Sequence, residues 1–159
     1  MAAVRVNPLE ADGMDDLAAV MRGRPDIVAL PKVAEPSHVL RLDEAVTRFE
    51  RDYGIPQGST VLLPNIEFAR GLVQLGAIVK ASARTTACLL AAEDLAADLG
   101  AERGPDGVEL AYCRQRFYRR MRRGGRGRRR LSLYLQRYRG CRARYALGAK
   151  AWLRRQEPC

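Results

Sequence analysis

Two acidic residues stand just after two short apolar segments of the chain. Glu67 closes the segment T-V-L-L-P-N-I-E, residues 60–67, and Asp94 closes T-T-A-C-L-L-A-A-E-D, residues 85–94. Each apolar run has the length of a buried strand and is followed by a helix-like stretch. Groups at the carboxyl ends of parallel strands converge on one site. Two carboxylates there predict a seat for a hard divalent cation such as Mg²⁺.

Strand-like and helix-like segments alternate four times along the chain, which predicts βαβ units and a parallel sheet. The strands are nearly all apolar, as in sheets that are covered on both faces. Four units are too few for a complete (β/α)₈ barrel. The predicted fold class is therefore α/β, a partial TIM-type barrel of about four parallel β/α units. The predicted strands and helices lie as follows: strands at 3–7, 26–30, 60–63 and 85–90; helices from 12 to 21, from 36 past 49, from 68 to 81, a short turn ending at Gly100, and one from about Val108.

Charge divides the chain of 159 residues into two parts. Residues 1–118 carry a formal charge of −4 and residues 119–159 carry +14, which gives the net +10. Residues 119–130 alone contain eight arginines. We predict a partial β/α-barrel domain at 1–118 and a separate arginine-rich tail at 119–159, irregular, disordered or helical.

Several classes of protein are disfavoured by the composition. No apolar run is long enough to span a membrane, and no secretory signal is visible. The four cysteines are widely spaced without a C-x-x-C pair, which favours free thiols in a reducing cytoplasm. His38, the only histidine, follows Pro36 and Ser37 at a predicted helix start, where a solvated or capping role is expected.

Four short motifs together resemble the citrate lyase β-subunit-like proteins, within the malyl-CoA lyase and HpcH/HpaI 2-keto-acid aldolase superfamily. The resemblance covers about residues 3–116. The motifs, in chain order, are V-R-V-N-P at 4–8, L-P-K-V at 30–33, P-N-I-E-F-A-R-G-L at 64–72 and A-E-D-L-A-A-D-L-G at 92–100. The resemblance implies an Mg²⁺-dependent barrel enzyme that cleaves or forms C–C bonds in CoA thioesters such as citryl-CoA or malyl-CoA-like compounds. It also implies a cytoplasmic homo-oligomer, commonly a trimer or hexamer.

The same resemblance assigns roles to three residues. Glu67 and Asp94 match the two metal-binding carboxylates, and Glu67 also lies at the substrate. Arg5 matches the arginine that binds the substrate carboxylate of a 2-keto or 2-hydroxy acid, a task suited to the two-pronged guanidinium. The alternatives are helix-start acids for Glu67 and Asp94, and a structural ion pair for Arg5. Lys32, which also follows a strand, is as readily explained as a solvated loop residue.

Two positions depart from the family pattern, and larger parts of it are missing. Ala91 replaces a usual glycine and Phe68 a usual threonine, which puts substrate preference or activity in doubt. The expected first strand with its CoA-contacting arginine, and the later strands with a catalytic acid, have no counterpart. We therefore expect a fragment with weak or no activity.

The arginine-rich tail allows three interpretations. A one-base shift of reading frame near residues 116–119 would turn it into family-like, alanine-rich sequence, which predicts that the gene carries a frameshift. Sequencing the flanking DNA tests this hypothesis. The alternatives are an inert extension and a nucleic-acid-binding arm that acts through phosphate contacts and aromatic stacking.

Overall fold

A computed structural model describes residues 1–124 and 132–135 of the chain. In this part, strands and helices alternate as the sequence predicts. The elements are β1 Ala3–Arg5, α1 Gly13–Met21, β2 Ile27–Leu30, α2 Pro36–Asp52, β3 Val61–Ile66, α3 Ala69–Ile78, β4 Ala87–Leu90, α4 Ala92–Asp98, a 3₁₀ turn Val108–Leu110, α5 Ala111–Gly124 and β5 Ser132–Leu135.

The strands form one sheet in the order β1-β2-β3-β4-β5, with every neighbouring pair parallel. Arg5 lies beside Ala29, and Ala29 lies beside Leu63 in the next strand. The sheet is thus built from consecutive β/α units, which is how a barrel wall is built. The predicted parallel α/β architecture, a partial barrel, is confirmed.

The two faces of the sheet differ in burial, whereas the sequence predicted that both would be covered. On one face, the side chains of β2 to β4 are buried in the main core with the helices, while Val4 of β1 is partly buried; the buried side chains include Val28, Leu30, Leu62, Cys88 and Leu90. On the other face, the residues between them are only partly buried: Ile27, Ala29, Val61, Leu63 and Leu89. The partly buried residues lie on the side of the sheet that corresponds to the interior of a barrel. Apolar strands therefore occur here although helices cover only the other side.

The helices pack in sequence, α1 against α2, α2 against α3 and α3 against α5. In α5, Phe117 and Met121 are one helical turn apart and both are buried in the core. The predicted domain boundary after residue 118 therefore falls inside a packed helix. That boundary stays a prediction, but α5 continues across it because its apolar stripe continues.

A fifth strand occurs where the sequence analysis expected an irregular tail. Ser132–Leu135 pairs in parallel with β4, Ala87 opposite Ser132 and Leu90 opposite Leu135. The edge of β4 offers unpaired backbone groups, and a segment with leucine and tyrosine is suited to pair with it. The remainder of the predicted tail, residues 125–131 and 136–159, lies outside the described residues.

A buried ion network closes the amino end of the sheet. Arg84, in the loop before β4, lies 2.7 Å from Glu50 and 2.7 Å from Asp43, both on α2. Glu50 is fully buried and also accepts hydrogen bonds from the backbone amides of Gly58 and Thr60. The network joins α2 to the loops that precede β3 and β4, at the end of the sheet away from Glu67.

Within the described ranges 1–124 and 132–135, no helix is both long and apolar enough to cross a membrane.

Candidate metal and substrate site

Glu67 directly follows β3, and Asp94 lies in the first turn of α4, just after β4. Because β3 and β4 are adjacent and parallel, both carboxylates lie at the same edge of the sheet. Glu67 is buried, with 6% of its surface exposed. Burial, followed by the charge of Asp94, raises the pKa of Glu67. The structure thus brings the two sequence-predicted carboxylates within electrostatic reach of each other.

Positive charge reaches the same place from β1 and β2. Arg5 is the last residue of β1, and the charges of Arg5 and Lys32 both oppose the rise in the pKa of Glu67. The backbone amide of Lys32 acts in the same direction. The carboxyl ends of four successive strands therefore bring two carboxylates and two positively charged side chains to the same edge of the sheet. This is the edge at which the active site of a β/α barrel lies.

Arg5 is exposed rather than buried in its strand. The sequence argument that an unpaired charge would be costly at this position is therefore wrong, because β1 ends at Arg5 and its side chain reaches solvent. Among the described residues it makes no hydrogen bond or ion pair, so the structural ion pair considered as its alternative role is absent there. Its guanidinium is available to an anionic ligand.

Lys32 has a left-handed backbone conformation, with φ of 56°. This conformation is uncommon for residues other than glycine. It occurs in the turn between β2 and α2, where the next amide, that of Val33, donates to the carbonyl of Asn65 at 3.1 Å. The turn after β2 is thereby attached to β3, two residues before Glu67.

Asp98, one helical turn after Asp94, connects α4 to α3. Its carboxylate accepts a hydrogen bond of 2.7 Å from the backbone amide of Ala69, the first residue of α3. Phe68 is the N-cap of α3 and has no side-chain oxygen for this purpose, unlike the threonine usual in the resembling family. Asp98 thus satisfies the free amide of Ala69 at the start of α3 from a neighbouring helix.

The other departure, Ala91, is accommodated without strain. Ala91 has φ of −83°, which any L-residue can adopt, and its amide donates to the carbonyl of Ile66 at 3.0 Å. Glu93, next to Asp94, forms an ion pair of 3.1 Å with Arg103. Glu93 is thus engaged away from the carboxylate pair.

Asn65 is a feature of the site that sequence reasoning missed. It is buried, with 4% exposure, and its side-chain oxygen Oδ1 has no hydrogen-bond partner among the described residues. The signal was present in the sequence, since Asn65 precedes Glu67 by two positions and residues two apart share a face of a strand.

The donor set fits a hard divalent cation. In the described part of the chain, no three histidine, cysteine or acidic side chains come together as a metal cluster. Mg²⁺ is typically held by only one or two carboxylates, with water and substrate completing its coordination. Glu67 and Asp94 could meet that requirement, and a positive ion between them would relieve their mutual repulsion.

Comparison with known proteins identifies the family of the chain. The sequence profile of the HpcH/HpaI aldolase/citrate lyase family matches residues 1–128. The β subunit of citrate lyase from Haemophilus influenzae is 41% identical over 112 residues, which are 70% of this chain and 38% of that protein. The chain thus spans a little over a third of the length of such relatives.

Solved structures show the same fold. RipC from Yersinia pestis superposes with a TM-score of 0.71 at 25% identity, over 88% of this chain and 59% of RipC. A citrate lyase from Burkholderia xenovorans LB400 superposes with a TM-score of 0.73 at 16% identity, over 89% of this chain and 46% of its own length. On its sequence and its fold, this chain belongs to the HpcH/HpaI aldolase/citrate lyase family.

Proposed function

We propose that the chain carries the metal-binding part of an Mg²⁺-dependent C–C lyase that acts on a CoA thioester, citryl-CoA or a malyl-CoA-like compound. The observation that carries this proposal is the buried Glu67 carboxylate, whose pKa is raised by burial and by Asp94 at the carboxyl end of the sheet. A bound cation would stabilise both carboxylates in their charged forms.

The residues of this chain have separate tasks in the proposed reaction. Glu67 and Asp94 hold the ion, which when bound supplies Lewis-acid stabilisation to the substrate oxygen that becomes negative as the C–C bond breaks. Arg5 binds the carboxylate of the 2-keto or 2-hydroxy acid through its two-pronged guanidinium. Lys32 adds a second positive charge at the same edge of the sheet. Orientation of the substrate acid against the ion is thus the contribution of this chain.

We expect the isolated chain to be weakly active or inactive, because one face of its sheet is incompletely covered and it spans little over a third of its relatives. Assembly as a homo-oligomer, a trimer as in the family, and a cytoplasmic location are parts of the proposal. Free Cys88 and Cys113 accord with a reducing compartment.

Metal binding tests the proposal independently of turnover. Mn²⁺, a paramagnetic substitute for Mg²⁺, is titrated into the full chain and followed by electron paramagnetic resonance, with Mg²⁺ as competitor. Glu67→Gln and Asp94→Asn should each weaken binding about 10-fold or more, because each removes a charged ligand. Glu93→Gln is the matched control and should bind like the wild type, since Glu93 is paired with Arg103.

Equal Mn²⁺ affinity in all three variants would refute the assignment of the carboxylates. A lyase assay with citryl-CoA and malyl-CoA in excess Mg²⁺ tests the expected weakness of the chain. Robust turnover would contradict that expectation and leave the metal assignment to be judged by the binding data.

A second function, nucleic-acid binding, is supported by the outer face of α5. Tyr112, Gln115, Arg116, Arg119 and Arg120 line a surface pocket. Tyr112 is 68% exposed, and within the described ranges none of the three arginines has an acidic partner. Arg116 donates a hydrogen bond to the Tyr112 hydroxyl at 3.3 Å. Arginines without an acidic partner, beside an exposed aromatic ring, suit single-stranded nucleic acid, through phosphate contacts and base stacking.

A salt titration separates this function from the first. A fluorescent oligonucleotide is bound by the full chain, by an Arg116→Gln/Arg119→Gln/Arg120→Gln variant, and by an Arg22→Gln/Arg48→Gln/Arg51→Gln control of equal charge. Loss of three phosphate contacts should reduce the slope of log affinity against log salt by about 2. The same slope in the α5 variant and the control would exclude a binding surface on α5.

A further inference from the structure

The buried side-chain oxygen of Asn65 is unsatisfied in a part of the molecule that is otherwise well bonded. Its backbone carbonyl accepts a hydrogen bond from Val33, but Oδ1 has no partner among the described residues. Unsatisfied buried polar atoms are rare in folded proteins and call for a specific explanation, such as an ion or a catalytic role. Thr85 Oγ1 is the comparable atom elsewhere in the sheet.

The position of Asn65 relates it to the two carboxylates. It lies on β3 two residues before Glu67, so the two side chains leave the strand on the same face. In the sheet, Asn65 is paired with Leu89 of β4, and that strand leads through Ala91 to Asp94. Asn65 therefore lies on β3 just before Glu67 and beside β4, the strand that leads to Asp94.

We propose that Oδ1 of Asn65 is a third protein oxygen donor to the divalent cation held by Glu67 and Asp94. This inference rests on the proposed function. Carboxamide oxygens are common ligands of hard cations, and a neutral donor adds no further negative charge beside two carboxylates. A cation bound there would satisfy Oδ1, for which residues 1–124 and 132–135 provide no partner.

The proposal explains why a polar residue occupies an otherwise apolar strand face. The positions that precede Asn65 on this face of β3 are Val61 and Leu63, both apolar. A leucine at position 65 would continue this pattern and leave no buried polar atom. Asparagine is therefore the less favourable choice for the metal-free fold, and a bound ion reverses that preference.

The test compares Asn65→Leu, Asn65→Asp and Thr85→Val in the full chain. Thr85→Val is the matched control, because it also removes a buried unsatisfied oxygen, but near the amino end of the sheet, beside Leu62. Mn²⁺ affinity is measured by paramagnetic resonance, and the urea midpoint is measured in EDTA. We expect Asn65→Leu to weaken Mn²⁺ binding about 10-fold or more without lowering the midpoint. Asn65→Asp and Thr85→Val should retain binding.

The outcomes separate this inference from the proposed function. If Asn65→Leu binds Mn²⁺ as tightly as the wild type while Glu67→Gln loses affinity, the role of Asn65 is refuted. The assignment of Glu67 and Asp94 as ligands then stands. Absence of Mn²⁺ binding by the wild-type chain, or unchanged affinity in Glu67→Gln, overturns both. Weakened binding in Thr85→Val to the same degree also overturns the role of Asn65, since the effect would then be general. If Asn65→Leu does not fold, Asn65→Ala decides by the same criteria.

Discussion

The guanidinium of Arg84 lies 2.7 Å from Oε2 of Glu50, and both side chains are withdrawn from water, with exposures of 10% and 0%. Burial by itself raises the pKa of Glu50. Hydrogen bonds from Arg84 and from the amides of Thr60 and Gly58, with the charge of Arg84, outweigh it and hold the pKa at about 2. The pair is therefore a stabilising element whose strength depends on pH.

Acid should remove this stabilisation over a defined range. The pKa of Glu50 is lower in the folded than in the unfolded state, so its contribution is present above about pH 4.5 and is lost as the pH falls towards 2. The difference corresponds to about 3 kcal/mol. Urea unfolding at pH 7, 5, 4 and 3 should show a large difference between wild type and Glu50→Gln that narrows with acid. Exposed Glu44 provides the control, and Glu44→Gln should follow the wild type.

Removing Arg84 should be more damaging than removing an exposed arginine. Arg84→Ala leaves Glu50 buried without its cation, which predicts a loss of about 3–5 kcal/mol in the free energy of unfolding. Arg51→Gln breaks the exposed pair with Asp52 and should change stability by less than about 1 kcal/mol. Guanidinium denaturation of both variants measures the difference. Similar losses would contradict the assignment of Arg84 to a buried network.

Two glycines of α3 should respond in opposite ways to alanine. A methyl group at Gly71 would come within 2.4 Å of the carbonyl oxygen of Val33, which is backbone and must shift. We expect Gly71→Ala to destabilise the chain by about 1–3 kcal/mol. A methyl group at Gly76 meets only the end of the Arg120 side chain, at 3.9 Å, so the helical preference of alanine should add up to about 1 kcal/mol. The melting temperatures of both variants are compared with that of the wild type, and shifts in the same direction would contradict this expectation.

The charge of Glu67 should destabilise the metal-free protein. Burial first, and then Asp94, raise the pKa of Glu67 in the folded state, so a stabilising contribution present at low pH is lost as the pH rises through that pKa. In EDTA at pH 7, Glu67→Gln should therefore unfold at a higher urea concentration than the wild type. At pH 4 the urea midpoints of the two proteins should converge. A lower midpoint for Glu67→Gln at pH 7 would show that the carboxylate makes a stabilising contact, and Glu93→Gln controls for a general effect of charge.

The buried thiols should be unreactive until the protein unfolds. Burial raises the pKa of Cys88 to about 12, and burial also raises that of Cys113. In a Cys141→Ser/Cys159→Ser variant, a disulfide reagent should react with the two remaining thiols at least about 100-fold more slowly in the native state than in guanidinium. Rapid reaction of the reagent with the native protein would contradict the burial of these two residues.

Local sequence signals were sufficient for the order of the elements. A proline directly follows each of the first three predicted strands, at Pro8, Pro31 and Pro64, and the predicted helices have apolar residues three or four positions apart, so the alternation of the elements could be predicted. The carboxylate pair follows from the same reasoning, because carboxyl ends of parallel strands must share an edge.

Other features depend on tertiary context. Leu62 is completely buried, whereas the adjacent Leu63 is only partly buried. Because both residues are apolar, the sequence does not indicate which of the two faces the helices. Arg5 looked buried because β1 was predicted to continue to Asn7, but the strand ends at Arg5. The sequence analysis did not predict that α5 continues past residue 118, because arginines dominate this segment. Its buried apolar residues, Cys113, Phe117 and Met121, occur only at every fourth position.

The bond between Asp98 and Ala69 has a mechanical consequence for the site. α4 carries Asp94 one turn before Asp98, and α3 begins two residues after Glu67, so a single hydrogen bond ties the segments that bear both carboxylates. A movement of α4 away from the start of α3 would stretch or break that bond. The Asp98 side chain thus couples the positions of α3 and α4, the two segments that adjoin Glu67 and carry Asp94.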